Sequence, residues 1–355
     1  MRSDYFQRAI FVLSAVIYVT SSNSDSLHNK LPSAPDLDNL ELNKTRELSK
    51  GSAISKDYRI FDSIGNVSTL EELITEISNS DVTFLGETHT DAVAHDLEAL
   101  LLEKSWDDKQ SLSLEMFESD VQFVLDEYME GLITEEHFLK SARIWENYES
   151  DYRELIEFSK EKGVPVIAAN APRRYVNLVR RLGKGTLFSL SEEGKQFLPP
   201  LPYPDASPEY ENKFRAIMLA HQSIISRASV DQEPTNLHED RDLNQTESAI
   251  EESNSPYGEA FERMLEAQNL WDASMAWSIA SHLKRNPENR IIHVTGSFHT
   301  DFSLGIPEHL KNYLPSLNLL TVTMVPSLEY PNFKKSMEGL GDYIIITDGT
   351  LGPSH

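Results

Sequence analysis

The chain has no cysteine in its 355 residues. That absence excludes disulfides, thiolate catalysis, Cys-ligated zinc, iron–sulfur clusters and a lipid-bearing cysteine behind an export signal. Positive charge is also scarce, with 32 Lys and Arg against 57 Asp and Glu and a net charge of −25. No basic stripe exists to neutralise phosphates, so nucleic acid is excluded as a partner and simple electrostatic docking on anionic lipid is disfavoured. Long apolar runs are missing too. The best candidate, Ala9 to Val19, is too short for a stable membrane span. A G-x-S-x-G elbow, a P-loop and a G-x-G-x-x-G fingerprint are all absent, which removes those enzyme classes. A small-molecule ligand, a cation or a basic partner fits what is left.

The amino-terminal end reads as a targeting segment. Arg2 and Arg8 precede the Ala9–Val19 run, and a small polar cluster, Thr20 to Ser24, follows it. This order matches a secretory signal peptide over residues 1–22 and predicts a secreted protein, or one in an organelle reached by the secretory route. Three N-x-S/T sequons, at Asn43, Asn66 and Asn244, suit that route. Residues 23–56, rich in Ser, Asn, Asp and Lys, read as a flexible leader. A folded domain is expected over 57–350, with 188–256 an acidic, partly disordered insertion behind the proline cluster Pro199 to Pro204.

Four apolar runs inside that domain end in ionisable residues: Val82–His89, Leu112–Glu118, Val166–Arg174 and Ile291–His299. Amphipathic helical stretches separate the first three. Another, ahead of the first run, opens on a capping box at Ser68 or Thr69, with Glu72 following. This rhythm predicts an α/β fold with a mostly parallel central sheet and helices on both faces. Ligands of such sheets bind outside the carboxyl ends of the strands. Glu87, His89, Glu115, Glu118, Asn170, Arg173 and His299 are therefore expected on one rim.

Each candidate has a bland reading beside a functional one. In Gly86-Glu87-Thr88-His89, Glu87 is a hard oxygen ligand, a general base or a mere helix cap, and His89 is a nitrogen ligand or a polar rim residue. His95 stands four residues after Asp91, which suits an exposed surface pair better than a ligand with its orienting carboxylate. Glu115 lies within an apolar strand, where a carboxylate needs a charged partner or several donors. Arg173 and Arg174 suit a carboxylate or phosphate receptor, or a salt bridge to Glu87 or Glu115. Gly296-Ser297-Phe298-His299 mirrors the first motif. Trp271, Asp272 and Met275 read most simply as core packing.

Taken in order, Gly86-Glu87-Thr88-His89 with His95, Glu115-Met116, Ala169-Asn170-Ala171-Pro172, Ala267-Gln268-x-x-Trp271-Asp272-x-x-Met275-Ala276 and Gly296-x-x-His299 resemble the ChaN-like haem-binding uptake family. That family belongs with the Tiki metalloproteases and is similar to erythromycin-esterase-type proteins. The resemblance implies an α/β sandwich with a small helical subdomain, haem as cofactor, a tyrosine as iron ligand and a homodimer around cofacial haems. Tyr148, Tyr152 and Tyr175 are the nearby tyrosines, and no motif selects among them. In the haem reading, Arg173 and Arg174 serve the propionates, and Asn170 and His95 complete the cofactor-binding set. The alternative is a divalent-metal hydrolase in which Glu87, His89 and His299 hold the metal while Glu87 and Glu115 act in catalysis. A third reading is an inert interaction module, because a fold does not fix a function.

Overall fold

The computed structural model describes residues 56–230 and 256–355. The signal and leader expectations, and the acidic stretch 231–255, lie outside the described residues. Seven strands form one sheet: β1 (Tyr58–Asp62), β2 (Val82–Glu87), β3 (Gln110–Glu118), β4 (Val166–Asn170), β5 (Arg290–Gly296), β6 (Leu319–Ser327) and β7 (Tyr343–Asp348). Their spatial order is β1-β7-β6-β2-β5-β3-β4. All pairs are parallel except β1 with β7. The α/β fold with a mostly parallel sheet is as expected, and all four strand runs read from the sequence fall within it.

Ten α-helices are described: α1 (Leu70–Asn79), α2 (Ala92–Ser105), α3 (Gln122–Met129), α4 (Glu135–Ser141), α5 (Arg153–Lys162), α6 (Arg173–Leu182), α7 (Glu192–Lys195), α8 (Pro208–Val230), α9 (Pro256–Arg285) and α10 (Ile306–Tyr313). Thr69 is the cap of α1; its hydroxyl accepts from Glu72 N while Glu72 reaches back to the Thr69 amide. This satisfies two orphan donors at once. No described helix is long and apolar enough to cross a membrane.

The period of two along each strand splits the core into two layers. Leu85, Leu112, Leu114, Ile292 and Val294 face α1, α2, α3 and α5, against Leu73, Leu97, Leu101, Leu125 and Ile156. Val82, Phe84, Ile167 and Ala169 point the other way, onto Met275 and Ile279 of α9 and Leu310 of α10. Each fully buried leucine here is worth roughly 1.5–3 kcal/mol relative to exposure. These layers hold the strands rigidly, so the side chains at their carboxyl ends have a fixed frame.

The region expected to be an insertion is partly built into the fold. Tyr210, Phe214 and Ile217 of α8 pack on Phe298, just beyond the end of β5. Lys213, fully buried, donates from Nζ to the Phe298 carbonyl at 2.6 Å and to the Asp301 carbonyl at 3.3 Å. The helix thus braces the segment that carries His299.

Candidate functional site

The carboxyl ends of β2 and β5 are neighbours, with Glu87 opposite Gly296. Both motif glycines earn their place through close approach. A Cβ on Gly86 would lie 2.8 Å from Thr300 Oγ1, and one on Gly296 would lie 3.0 Å from His89 Nε2. Neither has a positive φ, so a left-handed turn is not the reason.

His89 and His299 follow the ends of these two strands, each anchored through Nδ1. The His89 ring lies 2.8 Å from Glu87 Oε1, and the His299 ring 2.5 Å from Asp272 Oδ1 on α9. Such pairing directs the Nε2 edge of each imidazole away from its anchor. On the His299 side, Nε2 is 3.8 Å from Glu115 Oε1. Glu115 sits where β3 shifts register against β4, between Leu114 and Glu118. An irregularity of this kind re-aims side chains next to sites. The other Glu115 oxygen accepts from Thr295 Oγ1 at 2.6 Å and from Gly296 N at 2.8 Å.

Two half-buried tryptophans flank the histidines. Trp145 stands edge-on to His89 at 5.0 Å between ring centroids, and Trp271 stands edge-on to His299 at 6.3 Å. The Trp271 indole N–H is buried and has no acceptor among the described residues. Arg173, exposed, places its guanidinium 6.0 Å from the centre of the Trp145 ring. The site is a polar floor of His89, Glu115 and His299 between aromatic walls, with a cation at its edge.

Electrostatics tie the floor together. Burial disfavours a charged His89, but the hydrogen bond and charge of Glu87, with Glu115 beyond, raise its pKa. Burial likewise opposes charge on His299, and Asp272 with Glu115 raises it nonetheless. Glu115 is desolvated, yet the two histidines and its two donors hold it below the usual carboxylate range. The floor therefore favours protonated imidazoles beside ionised carboxylates and is suited to proton transfer or to an electron-poor centre.

Behind His89 lies a second, fully enclosed layer. Glu87 Oε1 also accepts from the Tyr152 hydroxyl at 2.7 Å, and Oε2 lies 2.9 Å from His95 Nδ1. His95 Nε2 lies 3.1 Å from the His89 carbonyl and 3.3 Å from Asp151 Oδ2. Glu98, one turn along α2, completes the layer. A π-helical turn, Tyr148–Tyr152, leads into α5 and delivers Asp151 and Tyr152. Such turns gather at functional sites.

Several sequence expectations change here. His95 is not an exposed partner of Asp91; it is buried against Glu87, because Asp91 is the cap of α2 and accepts from Val93 N and Ala94 N. That depth also removes His95 from direct contact with a ligand at the rim. Glu87, His89 and His299 do not converge on one metal-sized point, since Glu87 Oε1 meets the anchored Nδ1 of His89 and Oε2 turns inward to His95; among the described residues that geometry belongs to Glu87, His95 and Glu98. Arg173 and Arg174 bridge neither Glu87 nor Glu115: Arg173 lies 3.7 Å from Glu118, and Arg174 pairs with Asp120. Asn170 is buried and turns its Oδ1 onto the Ala171 amide. Of the tyrosines, Tyr152 is committed to Glu87, Tyr175 accepts from Arg174, and the Tyr148 hydroxyl is buried without a partner among the described residues. A cleft of about 590 Å³ near Glu308, Lys311 and Asp342 borders the amino end of β6 and contains none of the rim residues.

Asp272 was legible only as core, yet it anchors His299. The signal was present. Asp272, Met275, Ala276 and Ile279 share one buried stripe, and an acid in such a stripe calls for a partner. Glu98 gives the same signal among Leu97, Leu101 and Leu102.

The sequence profile described as "Haem-binding uptake, Tiki superfamily, ChaN" matches residues 73–310, more than half of the chain. The chain belongs to this family. Among solved structures it is similar to ChaN of Campylobacter jejuni, described with cofacial haem binding, at 19% identity and a TM-score of 0.58, over 83% of this chain and 98% of that one. At that identity the likeness establishes the ChaN fold alone. Weaker likenesses are to a mutant of the erythromycin esterase EreC in its open conformation (14% identity, TM-score 0.37, 82% and 83% of the two chains) and to a Bacillus cereus protein (10%, 0.42, 84% and 97%). No inference rests on those two. No curated protein matches the sequence.

Proposed function

We propose that this ChaN-family chain binds a haem-type tetrapyrrole over the carboxyl rim of its sheet, and that it works in haem handling. The observation that carries this is the pair His89–Glu87 and His299–Asp272, each with Nδ1 anchored and Nε2 turned to a floor walled by Trp145 and Trp271. Haem asks for an axial imidazole or phenolate, flat aromatic or apolar walls and a cation for a propionate. The residues fit. His89, the more exposed imidazole, would give up its Nε2 proton to become the iron ligand, Trp145 and Trp271 would flank the macrocycle, and Arg173 would meet a propionate. The orphaned Trp271 N–H would find an acceptor on the ligand. When bound, haem supplies an iron centre and an extended apolar face; the chain supplies Glu87 to orient His89 and a desolvated floor. The amino-terminal segment supports export as the setting, and the haem of Campylobacter jejuni ChaN, described as cofacial, supports a homodimer here.

Titration of the purified chain with haem, followed by absorbance, tests this. A saturable Soret shift that is lost in His89→Ala and weakened in Arg173→Ala is the expected result. A shift untouched by both substitutions would place the ligand elsewhere.

A second reading rests on Asp272–His299–Glu115. Asp272 holds the His299 imidazole, whose Nε2 faces a carboxylate across 3.8 Å, too long for a direct hydrogen bond and close enough for one water to reach both. That arrangement suits general acid–base hydrolysis. It predicts ester or peptide hydrolysis that disappears in His299→Ala while haem binding at His89 persists.

A further inference from the structure

From the enclosed cluster behind the rim we infer a second site, a divalent first-row metal held by Glu87, His95 and Glu98. One ligand atom from each of these buried residues lies within 4.8 Å of the others. The orientation of His95 is the decisive detail. Its Nε2 faces two acceptors, the His89 carbonyl at 3.1 Å and Asp151 Oδ2 at 3.3 Å, so the N–H belongs on that nitrogen. Ligating histidines are oriented in this way, with the distal N–H given to a carbonyl or carboxylate. The opposite nitrogen, Nδ1, lies 2.9 Å from Glu87 Oε2 and 3.5 Å from Glu98 Oε2. Nδ1 and the two carboxylates thus converge on one enclosed point, where a cation would meet all three.

Two oxygens strengthen the case. Glu87 Oε2 and Glu98 Oε1 are buried and have no hydrogen-bond donor among the described residues, although both carboxylates are wholly enclosed. Unpaired buried carboxylates are strongly disfavoured. One divalent ion would neutralise both carboxylates at once. The donor set is one imidazole and two carboxylates with no thiolate, which suits Mn²⁺, Fe²⁺, Co²⁺ or Zn²⁺. Through the second oxygen of Glu87, this ion would sit one carboxylate away from His89 and fix its orientation at the rim. The site shares Glu87 with the haem reading but neither uses Nε2 of His89 nor faces the open floor.

The test is metal analysis of the full chain by mass spectrometry, followed by unfolding in chelator and refolding with Mn²⁺, Co²⁺ or Zn²⁺ alone. Burial means the ion enters as the chain folds, so metal and stability are linked. The expected result is close to one metal per chain, a melting temperature raised by the restored metal, and d–d absorption from the Co²⁺ form. Glu98→Gln should weaken retention at least about tenfold, the scale of lost ligand support, while His299→Ala leaves the metal in place. If Glu98→Gln does not fold, the Co²⁺ spectrum and metal-dependent melting of the unaltered chain still decide. A chain that purifies and refolds without metal, with a melting temperature indifferent to all three ions, overturns the inference and leaves protons to hold the cluster. Metal lost with His299→Ala and kept with Glu98→Gln would overturn it equally, by placing the ion at the rim. Haem binding is read separately from the Soret band, so the two readings fail independently.

Discussion

His89 and His299 end neighbouring strands and are anchored alike through Nδ1, but the carboxylates that hold them have different obligations. Glu87 faces His89, His95 and the Tyr152 hydroxyl, and burial costs it less than these partners return, so its pKa lies well below the usual range. Asp272 comes from a distant helix and holds His299 through one short contact. The β2 side of the rim is a network continuous with the core. The β5 side is closer to a dyad, braced from outside by α8 and Lys213. The difference separates stability from chemistry: substitutions on the first side should unfold the protein, and substitutions on the second should alter the site and leave the fold.

The sharpest way to break this comparison is Glu87→Gln. Removing one partner of a buried charge network costs about 3–5 kcal/mol, read from the denaturation midpoint; a cost below about 1 kcal/mol would refute the network. Asp272→Asn should cost less, about 1.5–3 kcal/mol for a hydrogen bond to a charged group. It should also lower the His299 pKa in an NMR titration, because Asp272 helps to raise it. Tyr152→Phe removes a single donor and should cost about 0.5–1.5 kcal/mol, with the Soret band of the haem complex unchanged. Arg174→Ala, at an exposed pair with Asp120, should change stability by less than about 1 kcal/mol and leave haem affinity alone.

The pH dependence sharpens the same contrast. The pKa values of His89 and His299 are raised in the folded state, so each contributes stability that is full below the unfolded value near 6.5 and fades as pH rises through the folded one. His293, six residues before His299, behaves oppositely. It is buried against Ser113, and desolvation pushes its pKa down to about 3, so it costs stability as pH falls from the unfolded value towards 3. Stability curves of the unaltered chain and His299→Gln should diverge below neutral pH, with the variant the less stable. Coincident curves would show that His299 is not charged in the fold.

How much of this was legible beforehand follows from the range of each interaction. Strand and helix identity is local, so the four rim runs, the Thr69 capping box and the long helix α9 were readable, and the resemblance to the ChaN-like family rested on motifs in those runs and in α9, with His95. Glu87 and His89 were legible as neighbours at one strand end because they stand two residues apart, although their pairing was not. Asp272 with His299, and Glu115 with Thr295, span elements joined only by the tertiary fold, so sequence spacing carried no information about them. His95 was misread because the i,i+4 relation to Asp91 ignores the competing demand of the α2 amino terminus, which claims Asp91 as its cap. The arginines were placed at the right strand end but given the wrong partners, since Glu118 and Asp120 are nearer than the buried carboxylates.

The central claim is that the two rim imidazoles present Nε2 to the ligand while Nδ1 stays with a carboxylate. It is tested most directly by ¹⁵N NMR of the histidine side chains during titration with zinc protoporphyrin. The account predicts a large shift at His89 Nε2, a smaller one at His299 from the nearby macrocycle, and an unmoved His293. Tetrapyrrole binding that leaves His89 and His299 unshifted would contradict it.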